Sequence, residues 1–240
     1  MRSSPSRTDP LDPGPAGFAH RGLFGSGVPE NSMAAFEAAL AIGAGIECDV
    51  RLAEDGKLVV FHDHDLRRLC ASALAIETSP AAIITAQRLL DSDQRIPLLA
   101  DLLDLMGGRA PVLIEVKTRG ANVRRIAEAV GAAVAAYRGV AGVMSFNPDI
   151  ARAIGRYRPA IRRGLVLSRK ASAFDRWRCL RRARPQFLAV DCGAIRQGWV
   201  ARNRSFMPVY SWTVRTADEL EMVRVHADAP IWEGDGRPRN

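Results

Sequence analysis

Four cysteines stand in 240 residues and none is spaced Cys-x-x-Cys, so the chain carries neither a zinc framework nor a disulfide scaffold. No stretch supplies the roughly 18 consecutive apolar residues of a membrane span. The best apolar run, residues 129–137, is short, rich in alanine, and reads as a helix packed inside a domain. Residues 1–15 hold four prolines but no apolar core segment, and are expected to form a flexible tail rather than a signal peptide. A reducing, cytoplasmic setting is the expectation that follows. The Gly-x-Gly-x-x-Gly turn of dinucleotide-binding sheets is missing. So are the spacings of helix-turn-helix modules, zinc fingers and RNA-recognition sheets, which argues against a nucleic-acid partner.

What remains is an ordinary globular composition, 48% hydrophobic and 25% charged, with a net charge of +8. The basic residues concentrate between Arg152 and Arg184, among them Arg162, Arg163, Arg169, Lys170, Arg176, Arg178, Arg181 and Arg182. This sector reads as a solvated helical face. Its functional readings are attraction of an anionic substrate and transient contact with an anionic membrane surface. Nothing in the pattern specifies an oligomeric state.

Short apolar runs alternate with helical segments almost throughout. Strands are expected over 17–20, 45–50, 58–62, 112–116, 140–145, 161–167, 187–191, 209–214 and 229–232. A helix over 31–42 has Asn31 as its expected N-cap and Gly43 as its stop. Such alternation means parallel strands joined by crossover helices, and at this length it describes an α/β TIM barrel of eight βα units. One link is too short for a crossover: residues 51–57, with Asp55-Gly56 as a turn, make the second and third strands an antiparallel hairpin. One of the nine strands is therefore an excursion. Residues 65–97 break the alternation and are expected to be a small insertion over the barrel mouth, within a single domain spanning 16–240. That segment is alanine-rich and has no aromatic cluster to suggest a substrate shape.

The chemistry-bearing residues fall at strand ends. His20 and Arg21 follow the first strand, Glu47 and Asp49 close the second, His62 and Asp63 the third, Glu115 and Lys117 the fourth. Residues two apart in a strand share a face, so Glu47 pairs with Asp49 and Glu115 with Lys117. Burying these carboxylates together is expensive unless a cation joins them. With no cysteine or clustered histidine at hand, a hard ion, Mg2+ or Ca2+, suits them better than zinc. Arginine grips phosphate through its fork and lysine as a point charge, while two imidazoles can exchange protons near neutral pH. The set points to cleavage of a phosphorus–oxygen bond rather than to redox or glycosidic chemistry. Among the neighbouring histidines His62 is preferred to His64, because the strand runs directly into it. His226 reads as a surface or core residue, and Cys48 and Cys192 as packing toward the helices.

The ordered segments Ala19-His20-Arg21-Gly22, Pro29-Glu30-Asn31-Ser32, Glu47-Cys48-Asp49-Val50, Asp55-Gly56 and Val60-Phe61-His62-Asp63 resemble the glycerophosphodiester phosphodiesterase family. Ile96-Pro97-Leu98, Glu115-Val116-Lys117, Ser145-Phe146-Asn147-Pro148 and Trp212-Thr213-Val214 continue the likeness. The resemblance implies a TIM barrel with an insertion after the third strand, and hydrolysis of small-molecule glycerophosphodiesters to an alcohol and sn-glycerol 3-phosphate. It implies His20 and His62 as the acid–base pair, and Glu47, Asp49 and Glu115 as ligands of a divalent cation. Arg21 and Lys117 would hold the phosphate, with Trp212 against the glycerol or alcohol part. It also implies attack by the substrate's own neighbouring hydroxyl, through a cyclic phosphate that water opens. Two segments depart from the family: Arg215 replaces an asparagine after Trp-Thr-Val, and residues 228–238 replace its usual Asp-Gly-Ile-Ile-Thr-Asp-x-Pro ending. Glu233 is the candidate substitute for the carboxylate lost there. Ser145, Phe146 and Asn147 are expected to stabilise a turn. The alternatives are lysophospholipase D-like cleavage of lysophospholipids, and a non-catalytic barrel that binds phosphorylated ligands or nucleic acid.

Overall fold

The computed structural model describes residues 9–120 and 122–239. Its first units are β1 (Phe18–His20), α1 (Met33–Ala41), β2 (Gly45–Leu52) and β3 (Leu58–Val60). Short helices α2 (Arg67–Cys70) and α3 (Ala81–Thr85) precede α4 (Leu99–Met106) and β4 (Val112–Val116). There follow α5 (Val123–Ala136), β5 (Ala141–Ser145), α6 (Pro148–Tyr157), β6 (Arg162–Leu167) and α7 (Ala173–Ala183). The chain ends with β7 (Phe187–Asp191), α8 (Gly198–Arg204), β8 (Val209–Val214), α9 (Ala217–His226) and β9 (Ala229–Trp232). Each strand lies within two residues of its expected bounds.

Strand β1 pairs in parallel with both β2 and β9, so β1, β2 and β4–β9 close into an eight-stranded parallel barrel wrapped by helices. This is a TIM barrel. Strand β3 stands outside it, antiparallel to β2 through Val50↔Val60 and Leu52↔Leu58, as the short link requires. Both faces of a barrel strand are covered, which is why these strands read as unbroken apolar runs. In β4, Val112, Ile114 and Val116 face the helices, whereas Leu113 joins a second apolar cluster with Phe18, Met144 and Tyr210. Cys48 packs with the helix-side cluster as expected.

The described part of the expected tail behaves differently. Leu11 is fully buried in the second cluster, against Phe18 and Phe187, and Asp9 forms an ion pair with Arg162. A Cβ on Gly142 would lie 2.6 Å from Leu11 Cδ1, so the strand is bare where the leucine enters. One apolar side chain and one ion pair therefore dock residues 9–13 against the barrel, despite their proline-rich composition; residues 1–8 lie outside the described residues. The other local difference is at α1. Ser32, not Asn31, is the N-cap, its Oγ accepting from Ala35 N at 3.2 Å.

Within 65–97 the chain folds α2 and α3 around an apolar cluster that includes Phe61, Leu66, Ile76, Ile84 and Leu89. The strand-to-helix loops all emerge at one end of the barrel, and that end carries the polar residues considered next.

Candidate active site

Strand register brings the side chains together before any long-range contact is invoked. His20 is aligned with Glu47 across β1 and β2, and Asp49 with Glu115 across β2 and β4. Glu47 and Asp49 are essentially without solvent exposure, at 1% and 0%, and Glu115 is buried beside them. The three carboxylates offer oxygens that all lie within 4.8 Å of one another. Lys117 Nζ sits 3.1 Å from Asp49 Oδ1 and 2.6 Å from Glu115 Oε1, and Arg21 Nε sits 3.0 Å from Asp49 Oδ2.

Three negative charges thus face two cations, with little water to screen them. Glu47 Oε1 accepts no hydrogen bond, and Asp49 Oδ1 and Glu115 Oε1 meet the Lys117 ammonium. The consequences differ by neighbour. Burial pushes the Glu47 carboxyl well above the ordinary carboxylate range, and Asp49 and Glu115 push it further. Burial also raises Glu115. For Asp49 the same burial is outweighed by Lys117 and Arg21, and its carboxyl is held below the usual range. The Lys117 ammonium is stabilised by Asp49 and Glu115 against its own desolvation. A buried seat of three carboxylates, with Glu47 Oε1 unpartnered, fits a hard divalent cation.

Both imidazoles are steered by carboxylates. His20 Nδ1 lies 2.8 Å from Glu233 Oε2, leaving Nε2 turned toward the cluster, 3.9 Å from Glu47 Oε2. His62 Nδ1 lies 2.7 Å from Asp63 Oδ1. A carboxylate can only accept, so each Nδ1 carries the proton and each Nε2 is free to take one. Burial lowers both histidines below their ordinary value. Burial would raise Glu233, but the hydrogen bond from His20 and the charge of Arg215 hold it down at about 2. Arg215, the residue in place of the family's asparagine, donates from Nε to Glu233 Oε1. Its own backbone N–H donates to Glu219 Oε2 at 2.7 Å, which fixes the loop entering α9.

Several further residues complete this network, none of them assigned to the site from sequence. Asn31, with φ 55, donates from Nδ2 to Asp49 Oδ2 at 3.0 Å, so the tertiary contact takes it away from helix capping. Glu30 accepts from Arg21 at 2.8 Å and from Arg68 at 2.9 and 2.7 Å. Arg68, on α2 of the inserted segment, also donates to Asp63 at 2.6 Å and so braces the partner of His62. Arg51 Nε donates to the His62 carbonyl at 2.8 Å. The Pro-Glu-Asn-Ser run was the available signal for Glu30 and Asn31; nothing local marks Arg68.

Trp212 is half-buried, its Nε1 donating to the Ala189 carbonyl at 3.0 Å. Phe146 packs edge-on against it at 5.4 Å and lies 5.6 Å from Lys117 Nζ, which gives the mouth an apolar wall. Ser145 and Asn147 act as expected on the turn: Ser145 Oγ accepts from Asn147 N, and Asn147 caps α6.

Residues 20–229 match the model of the Glycerophosphoryl diester phosphodiesterase family. The uncharacterized protein YqiK of Bacillus subtilis is 33% identical over 173 residues, covering 67% of this chain and 70% of that one. A glycerophosphodiester phosphodiesterase of Caldanaerobacter subterraneus is 28% identical over 228 residues, covering 89% and 92%. Among solved structures, an Oleispira antarctica phosphodiesterase in complex with the product sn-glycerol-3-phosphate superposes with a TM-score of 0.78. It is 20% identical and covers 92% of each chain.

Proposed function

The chain belongs to the glycerophosphodiester phosphodiesterase family and is a phosphodiesterase of that class; from that premise we propose cation-dependent hydrolysis of glycerophosphodiesters to an alcohol and sn-glycerol 3-phosphate, with His20 and His62 as the proton-transfer pair. The observation that carries this reading is the buried carboxylate trio, its oxygens within 4.8 Å of one another, beside two imidazoles that are themselves held by carboxylates.

Glu47, Asp49 and Glu115 would hold the ion, and their oxygen-only character favours Mg2+ or Ca2+. Such an ion, when bound, neutralises phosphate charge and polarises the phosphoryl group. Arg21 and Lys117, already at the cluster, meet an arriving phosphate with two positive charges. His20 is the base in our reading. Its Nε2 faces inward, and the ionised Glu233 behind it stabilises the imidazolium that forms. His62 is more exposed, at 33% against 10% for His20, and in its protonated form, with Asp63 on Nδ1, it gives its Nε2 proton to the alcohol that departs to solvent. The attacking hydroxyl, the substrate's own neighbouring one, loses its proton to one imidazole while the leaving alcohol gains one from the other. In the water step the roles reverse, and both histidines end as they began. Trp212 and Phe146 supply the apolar wall for the glycerol or alcohol moiety.

No helix among the described residues is long and apolar enough to cross a membrane. We place the chain in the cytoplasm, a reading supported by its few cysteines without disulfide-framework spacing. The non-catalytic alternative is disfavoured, since a mere binder has no use for two carboxylate-oriented imidazoles.

The test is a panel of glycerophosphodiesters and lysophospholipids assayed with Mg2+, with Ca2+ and with chelator. Release of sn-glycerol 3-phosphate from glycerophosphocholine, abolished by chelator and by His20→Ala, is expected. Turnover confined to lysophospholipids, or turnover indifferent to chelator, would overturn the reading.

A further inference from the structure

The chain's charge is not spread over its surface. Residues 168–207 contain ten basic residues, Lys170 and nine arginines, against Asp175 and Asp191. Their net +8 equals that of the whole chain, so the rest of the molecule balances to neutral. Seven of the ten lie between Ser168 and Arg184, on the loop after β6 and on α7.

Helix α7 is also the barrel helix that buries least: only Ala183 of its 11 residues is buried. Phe174 is 66% exposed and Trp177 52%, their rings 5.8 Å apart and tilted by 30°. Arg181 stacks on Trp177 at 5.2 Å, and Arg176 stacks on Trp199 of α8 at 4.8 Å. The aromatic pair occupies the first half of α7, and a helix following a barrel strand begins at the strand's C-terminal end. That is the end carrying the carboxylates and imidazoles.

From this we infer that the outer face of α7, with the loop before it, docks on an anionic phospholipid surface: Phe174 and Trp177 enter the headgroup layer while Lys170, Arg169 and Arg178 contact lipid phosphates. Cations around a short aromatic wedge on a surface helix match an interfacial anchor. Phe174, Trp177, Arg178 and Arg181 recur at i, i+3, i+4 and i+7 of one helix and so form a compact amphipathic patch, which favours a bilayer over an extended single-stranded nucleic acid. Docking there brings the loop after β6, at the rim of the barrel mouth, to the membrane surface. The inference does not depend on which diester is cleaved.

The experiment is flotation of the full chain with vesicles of phosphatidylcholine alone or mixed 3:1 with phosphatidylglycerol. Each cation near an anionic surface contributes roughly fivefold in partitioning. Strong partitioning onto the mixed vesicles at low salt, lost at high salt, is expected. Lys170→Gln with Arg178→Gln should lower it by about 25-fold at that contribution per cation. Phe174→Ser with Trp177→Ser should lower it about tenfold or more. Hydrolysis of soluble glycerophosphocholine should be unchanged in both double variants, which separates failure of docking from failure of the catalytic reading. Equal partitioning onto both vesicle types, partitioning unmoved by either pair, or tighter binding of a single-stranded oligonucleotide at the same salt would overturn the inference.

Discussion

Replacing Glu47 by Gln should act in opposite directions on the protein without and with a divalent cation. Without one, Glu47 is a buried carboxyl crowded by Asp49 and Glu115, and its raised pKa is the thermodynamic record of that cost. Glutamine keeps the oxygen that accepts from Arg21 N at 3.2 Å and removes the charge. Relief of a buried, incompletely compensated charge is worth about 1–3 kcal/mol. At roughly 2–4 °C per kcal/mol for a chain of this size, the melting temperature in chelator should rise by about 2–12 °C. With cation at about 100 times its Kd, the wild-type protein gains about 2.7 kcal/mol, or roughly 5–11 °C. A variant binding about a hundredfold more weakly gains only about 0.4 kcal/mol at the same concentration. Differential scanning calorimetry at pH 8, in chelator and in Mg2+ or Ca2+, reads both terms. A variant that melts lower than wild type in chelator, or that gains as much from the cation, would refute the reasoning.

Glu233→Gln keeps an oxygen that can accept from His20 but removes the charge that supports its protonated form, and kcat should fall by about 10–100-fold with little change in KM. The acid limb of its kcat/KM profile should move to lower pH, since the lost carboxylate favoured the imidazolium; an unmoved limb would deny the link. The same variant tests stability. Glu233 titrates at about 2 in the folded chain against an ordinary 4.5, so its contribution is complete above pH 4.5 and fades as pH falls toward 2. Chemical unfolding should therefore separate wild type from Glu233→Gln at pH 6 and bring them together near pH 2; a gap independent of pH would contradict this. Leu11→Ala should cost about 2–5 kcal/mol, because its side chain is wholly buried among Phe18, Phe187 and Tyr210. Thermal melting of that variant within 1 °C of wild type would mean that residues 9–13 do not hold the barrel as described.

The barrel was legible because its rules are local and repeated: apolar runs bounded by turns, and one link too short for a crossover. The carboxylate cluster was legible for the same reason, since period-two alternation in β2 and β4 decides which side chains share a face. What escaped were residues whose role is set from far along the chain. Asn31 carries an ordinary capping signal, and only the approach of Asp49 diverts it. Arg68 looks like any charge on a short surface helix, yet it binds Glu30, 38 positions earlier, as well as Asp63. Leu11 sits among prolines and looks disordered until Gly142 opposite it is seen to leave room. Glu233 stood out through a missing family motif, but its hydrogen bond to His20 required the closure of β9 onto β1.

Three buried acids sharing one cation beside two imidazoles are the centre of the proposed chemistry. The most direct measurement is the anomalous diffraction of crystals soaked in Mn2+ and sn-glycerol 3-phosphate. A single strong peak in contact with Glu47, Asp49 and Glu115, with the phosphate lying between His20 and His62, is the predicted result. Metal density elsewhere, with the acids still closed on Lys117 and Arg21, would contradict it.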